Sequence, residues 1–154
     1  MLKKQMNKKG VTLVELVVVM VIIAIGAVLL IPNIAAWLPN YRLRSATRDV
    51  VSSMRTAQMK AVSANTRYQV DFNVAGNNYI LQYQTTAGGW VNEGATQNLP
   101  RGVTFISAIF SGGVPQAIFN SNSTSSAGSV ILQNTKGVQR KITLTSATGR
   151  AKIE

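Results

Sequence analysis

Residues 8–32 read KKGVTLVELVVVMVIIAIGAVLLIP, and between Val11 and Ile31 the only charge is Glu15. That apolar run is about 21 residues long, close to the ~20 a helix needs to cross the hydrocarbon layer of a bilayer. Lys3, Lys4, Lys8 and Lys9 precede it, and by the positive-inside rule this basic block keeps the N-terminus cytoplasmic. A secretory signal would close on small residues suited to cleavage, whereas this run closes on Leu29-Leu30-Ile31-Pro32, which predicts that the segment is retained. An acid at the centre of a membrane helix costs roughly 2.5 to 3.5 kcal/mol, and less near an end. Glu15 lies one turn inside, where it can reach the headgroups and favours the positive end of the helix dipole.

The rest of the chain narrows the chemistry. Its 154 residues, 46% hydrophobic, suit one globular domain plus one extra element. With no Cys and no His, disulfides, Cys or His zinc sites, thiol nucleophiles and Ser-His or Cys-His pairs are excluded. The acids are Glu15, Asp49, Asp71, Glu93 and Glu154, too dispersed for a paired-carboxylate active site or a calcium loop. The sequence therefore points away from an enzyme, and neither a metal nor a cofactor is expected.

Beyond Ile31 the helical pattern continues, although Pro32 and Pro39 each remove a backbone donor and predict a kinked or locally unwound stretch. Leu43, Ala46, Val50, Met54, Ala57 and Ala61 then recur at three- and four-residue spacings, one apolar stripe on an amphipathic helix. Arg44, Arg48 and Arg55 fall in a narrow sector on another side, a basic stripe that reads first as a solvated face.

After Asn65 the period changes to two. Tyr68, Val70 and Phe72, a turn at residues 75–78, then Tyr79, Leu81 and Tyr83 predict a hairpin. Further strands are expected at Val103–Ile109, Gln116–Phe119, Val130–Gln133, Arg140–Thr145 and Arg150–Ile153, separated by Gly, Pro, Asn and Ser. Trp90 and the tyrosines read as core or hairpin partners. Residues 120–129, NSNSTSSAGS, read as an exposed mobile loop, and its Asn122-Ser123-Thr124 sequon is of a kind that chance often produces. The expected fold class is α+β: a long N-terminal helix packed on a small antiparallel β domain.

Lys8-Lys9-Gly10, followed by Val11-Thr12-Leu13-Val14-Glu15-Leu16 and the apolar run, resembles the class III leader of type IV pilins and type II secretion pseudopilins. The resemblance implies that a prepilin peptidase cuts after Gly10 and methylates the new N-terminal amine on Val11, a position where the family usually carries Phe. It also implies that Glu15, the fifth residue of the mature chain, pairs with the N-terminal amine of a neighbouring subunit during assembly. An acid and an amine, each costly alone in apolar surroundings, offset one another when joined. The implied organisation is residues 1–10 as leader, 11–31 as transmembrane half-helix, 32–64 as amphipathic half-helix and 65–154 as a β domain outside the cytoplasm.

The long helix, the strands after it and the C-terminal stretch VILQNTKGVQRKITLTSATGRAKIE resemble the GspH/FimT family of minor pseudopilins and minor pilins, whose members prime assembly or occupy the tip. Partners implied are other pilin or pseudopilin subunits and the inner-membrane assembly platform, in a type IV pilus, type II secretion or competence system. Gly149-Arg150-Ala151-Lys152 is similar to the Gly-Arg-x-Arg tail of minor pilins associated with DNA uptake, with Lys152 in place of the second Arg. Lys136, Arg140, Lys141, Arg150 and Lys152 form a candidate phosphate-attracting patch in a chain of net charge +11. The other reading of these cations is an edge strand guarded by charge against sheet-to-sheet pairing. Two functions follow: a structural filament subunit, or a single-pass membrane-anchored module that contacts DNA or another polyanion.

Overall fold

The computed structural model describes residues 10–154, excepting the side chains of residues 29–35; Lys3, Lys4, Lys8 and Lys9 lie outside the described residues. The elements run α1 (Leu13–Ser63), β1 (Tyr68–Asn73), β2 (Asn78–Gln84), β3 (Trp90–Asn98), β4 (Val103–Phe110), β5 (Gln116–Phe119), β6 (Gly128–Asn134), β7 (Gln139–Thr145) and β8 (Arg150–Ile153). This is the α+β fold expected. Contacts divide the chain into two units, Met1–Trp37 and Leu38–Glu154.

Both ends of α1 follow from local chemistry. Thr12 caps the start, its Oγ1 accepting the Glu15 N–H at 3.3 Å and its carbonyl accepting the Leu16 N–H at 3.2 Å. At the other end Asn65 takes a left-handed φ of 49°. Thr66 N–H then reaches the Ala61 carbonyl and Asn65 N–H the Val62 carbonyl, the pairing that satisfies a helix's last orphan carbonyls. The chain is not unwound at Pro32 or Pro39: α1 is helical through both. Each proline deletes one rung of the hydrogen-bond ladder, and the rungs on either side keep the helix in register.

In the Leu38–Glu154 unit, Leu43, Ala46, Val50, Met54, Ala57 and Ala61 are all buried, as the stripe requires, and Thr47 and Val51 join them. Thr47 satisfies its hydroxyl by donating to the Leu43 carbonyl at 2.7 Å. The strands make two four-stranded antiparallel sheets, ordered β3-β2-β1-β5 and β4-β6-β7-β8. β5 returns to the first sheet beside β1, which is why β4 pairs with β6. Phe72 of β1 joins the sheets, with ring centroids 5.6 Å from Phe105 and 5.9 Å from Phe110, both on β4. Offset and edge-on contacts of this kind add to simple burial.

Three features differ from expectation. β3, WVNEGATQN, has no period-two apolar pattern because it is an edge strand paired only with β2 and mostly exposed. Its register against β2 shifts between Tyr79 and Leu81, next to Gly94 at φ +82°, an irregularity of the kind that protects sheet edges. Residues 120–129 are anchored rather than loose: Ser125 is buried, bridges to Phe119 and donates its backbone N–H to the Ser146 carbonyl. Strand β6 consequently begins at Gly128, two residues before the expected Val130. Lastly, Tyr68 and Tyr79 are core residues and Trp90 pairs with Gln84 across the β2–β3 hairpin, as expected, whereas Tyr41 is exposed on α1.

Candidate functional site

The first site is the start of α1. Gly10 and Val11 precede the helix and are exposed, Val11 at 72%. Thr12 and Glu15 have the T-x-x-E spacing of a capping box, a signal overlooked in the sequence, and the Thr12 hydroxyl holds the backbone of the residue that carries the carboxylate. From Leu13 to Val28 the apolar side chains are exposed on every side of the helix, between 49% and 79%. An isolated helix that is apolar all round needs apolar surroundings, either a bilayer or other helices. Among the described residues no helix is long and apolar enough to cross a membrane. The described side chains of the run stop at Val28, short of its end at Ile31.

The second site, the five cations, divides. Inward-facing Ile142 and Leu144 on β7 and Ala151 on β8 are buried, so the alternating Lys141, Arg150 and Lys152 share the outer face of the second sheet. Lys152 lies 3.7 Å from the Glu154 carboxylate, and Thr143 of β7 donates to the same carboxylate. Arg140 has the opposite parity and lines a cleft with Asn40, Leu43, Arg44 and Val138. Lys136 stands in the turn between β6 and β7. The structure therefore brings three of the five together.

A third cluster is not visible in the sequence because its members come from four separate elements. Lys60 of α1 forms an ion pair with Glu93 of β3. Hydrogen bonding to Glu93 raises the Lys60 pKa above its usual value. Tyr68 is raised first by burial and then by hydrogen bonding to Glu93, and Tyr79 is raised by burial. Glu93 also borders a shallow cleft of about 190 Å³ with Ser52, Ser53, Thr56, Tyr79, Leu81 and Gln97. Among the described residues no three His, Cys, Asp or Glu stand close enough to hold a metal ion.

The prokaryotic N-terminal methylation motif matches residues 5–31, and the type II transport protein GspH family matches residues 46–148. The chain belongs to the GspH family. GspH proteins of known structure share its fold. The minor pseudopilin EpsH of the Vibrio cholerae type 2 secretion system aligns with a TM-score of 0.61 at 13% identity, over 73% of this chain and 96% of that one. E. coli GspH aligns at 0.60 and 11% identity, over 75% and 89%. The type IV minor pilin FimU of Pseudomonas aeruginosa aligns at 0.57 and 17% identity, over 75% and 90%. No curated protein matches the sequence significantly. As a GspH-family chain with an N-terminal methylation motif, the protein is a pilin-type structural subunit.

Proposed function

We propose that the protein is a minor pilin or pseudopilin that is processed by prepilin peptidase, stored in the inner membrane and assembled through α1. One observation carries this reading: a methylation motif at residues 5–31 and a GspH domain at residues 46–148 are joined in one chain. Cleavage after Gly10 removes residues 1–10 and frees the Val11 amine for methylation. Residues 11–31 then span the membrane, 32–64 continue as the amphipathic half-helix, and 65–154 stand outside the cytoplasm. The exposed Gly10-Val11 junction and the all-round apolar face of α1 support these assignments. Glu15 pairs with the amine of a neighbouring subunit, so that correct axial register is the arrangement in which neither charge is left alone in apolar surroundings. Partners are prepilin peptidase, homologous subunits and the inner-membrane assembly platform, with a role in priming assembly or at the tip. The test is the N-terminal mass of the protein from its native membrane, with and without the peptidase. A chain starting at N-methylated Val11 only when the peptidase is present is the expected result; a chain starting at Met1 in both cases rejects the proposal.

A second reading, contact with DNA or another polyanion, is favoured by Lys141, Arg150 and Lys152 sharing one face. Binding through phosphates weakens steeply with salt. Titration of duplex DNA against the full chain in detergent should give an affinity that falls by about tenfold or more between 50 and 200 mM salt. Salt-independent or absent binding removes this reading.

A further inference from the structure

The Leu38–Glu154 unit carries a second set of cations, at the end where the chain enters it from the apolar segment. Three pieces of backbone meet there: the first turns of α1 within the unit, the turn between β3 and β4, and the turn between β6 and β7. Arg42 donates to the Arg101 carbonyl at 3.2 Å, Thr135 N–H to the Gly102 carbonyl at 3.1 Å, and Asn134 Nδ2 to Asn40 Oδ1 at 2.8 Å. The three segments read LPNYRLR (38–44), LPRGV (99–103) and NTKGVQR (134–140). Together they hold Arg42, Arg44, Arg101, Lys136 and Arg140, and none contains an acid. Arg44, Arg101 and Lys136 are exposed, as is Tyr41 at 52%, while Arg42 and Arg140 are half-buried. Such a collection of like charges opposes folding unless solvent or an anion screens it.

We infer that this end of the β domain is a docking surface for the anionic lipid headgroups of the membrane that stores the subunit. The inference rests on the membrane-spanning reading proposed above. Lipid phosphates fit better than a free polyanion for a reason of connectivity. Arg42 and Arg44 follow the end of the apolar run at Ile31 by 11 and 13 residues, about 16–20 Å of helix, and basic segments that close behind a membrane span are drawn to its anionic surface. Exposed Tyr41 adds an amphipathic side chain of the kind enriched at that interface. Docking would hold the domain on the bilayer before assembly, and extraction into a filament would exchange these headgroup contacts for contacts with neighbouring subunits.

The test uses the full chain in nanodiscs of phosphatidylcholine alone and of an equimolar mixture with phosphatidylglycerol, followed by amide hydrogen exchange of the two turns, residues 101–102 and 135–138. The expected result is exchange slowed by about tenfold in the anionic discs. High salt should reverse it. A variant with Arg44, Arg101 and Lys136 changed to Gln should lose it, and one with Lys141, Arg150 and Lys152 changed to Gln should retain it. Equal exchange in both discs, from a chain that stays in them through an alkaline wash, overturns the inference and leaves the membrane-spanning reading standing. A chain released by that wash overturns both. Protection by duplex DNA in the neutral discs, without any from phosphatidylglycerol, overturns lipid docking in favour of nucleic-acid contact.

Discussion

Glu15 is the residue on which the proposed function turns, and its immediate surroundings show why position matters. The capped first turn holds its backbone through Thr12, so the carboxylate emerges three residues after the cap in a run of exposed valines, isoleucines and leucines. Removing one partner of an ion pair in apolar surroundings strands the other, at a cost of about 3–5 kcal/mol. Glu15→Ala should therefore leave membrane insertion intact, as judged by alkaline extraction, and reduce incorporation into sheared filaments to a few per cent or less. Full incorporation would show that the carboxylate has no register role. The charge pattern around Glu15 was legible without coordinates. The cap was equally present in the Thr12-x-x-Glu15 spacing, yet an apolar run draws attention to its length before its first polar residue.

At the scale of elements, strands buried on one face declared themselves and strands without a buried face did not. β4, β6 and β7 alternate between buried and less buried residues because one side packs on the core. β3 lies at an edge, so solvent places no demand on its alternate residues. The early start of β6 depends on contact with another strand. A Cβ at Gly128 would lie 2.4 Å from the Ile109 carbonyl oxygen and 2.5 Å from the Phe110 Cα, and both of those atoms are backbone of the paired strand β4. Gly128→Ala should thus cost roughly 1–3 kcal/mol through forced backbone movement. Gly89→Ala, whose Cβ would meet only the Thr85 hydroxyl at 3.6 Å, should stay within about 0.5 kcal/mol. Denaturant midpoints of the two variants check this, and equal midpoints would mean that β4 and β6 can separate at little cost.

Across the whole molecule, protonation links the parts of the Leu38–Glu154 unit. The Lys60–Glu93 pair ties α1 to β3, and Tyr68 and Tyr79 lie in the core beneath. All three shifted groups have folded-state pKa values above their ordinary ones. A raised folded value means the native state holds the proton more tightly, so the associated stability is complete below the ordinary pKa and is lost as pH rises through the folded one. The denaturant midpoint of the full chain in detergent should accordingly fall over the interval that opens at about pH 10, and Glu93→Gln should shrink the fall by removing the partner of Lys60. A flat midpoint across that interval would contradict the shifts. The helix, the strands with a buried face and the lone charge of Glu15 follow from the sequence alone, because periodicity, apolar length and a lone charge are properties of local chain and solvent. Tertiary structure alone decided the two-sheet order, the division of Lys136, Arg140, Lys141, Arg150 and Lys152 between faces, and the basic end built from three distant segments. Those depend on which strands pair and which turns meet, and such pairing is set by packing among residues far apart in the chain.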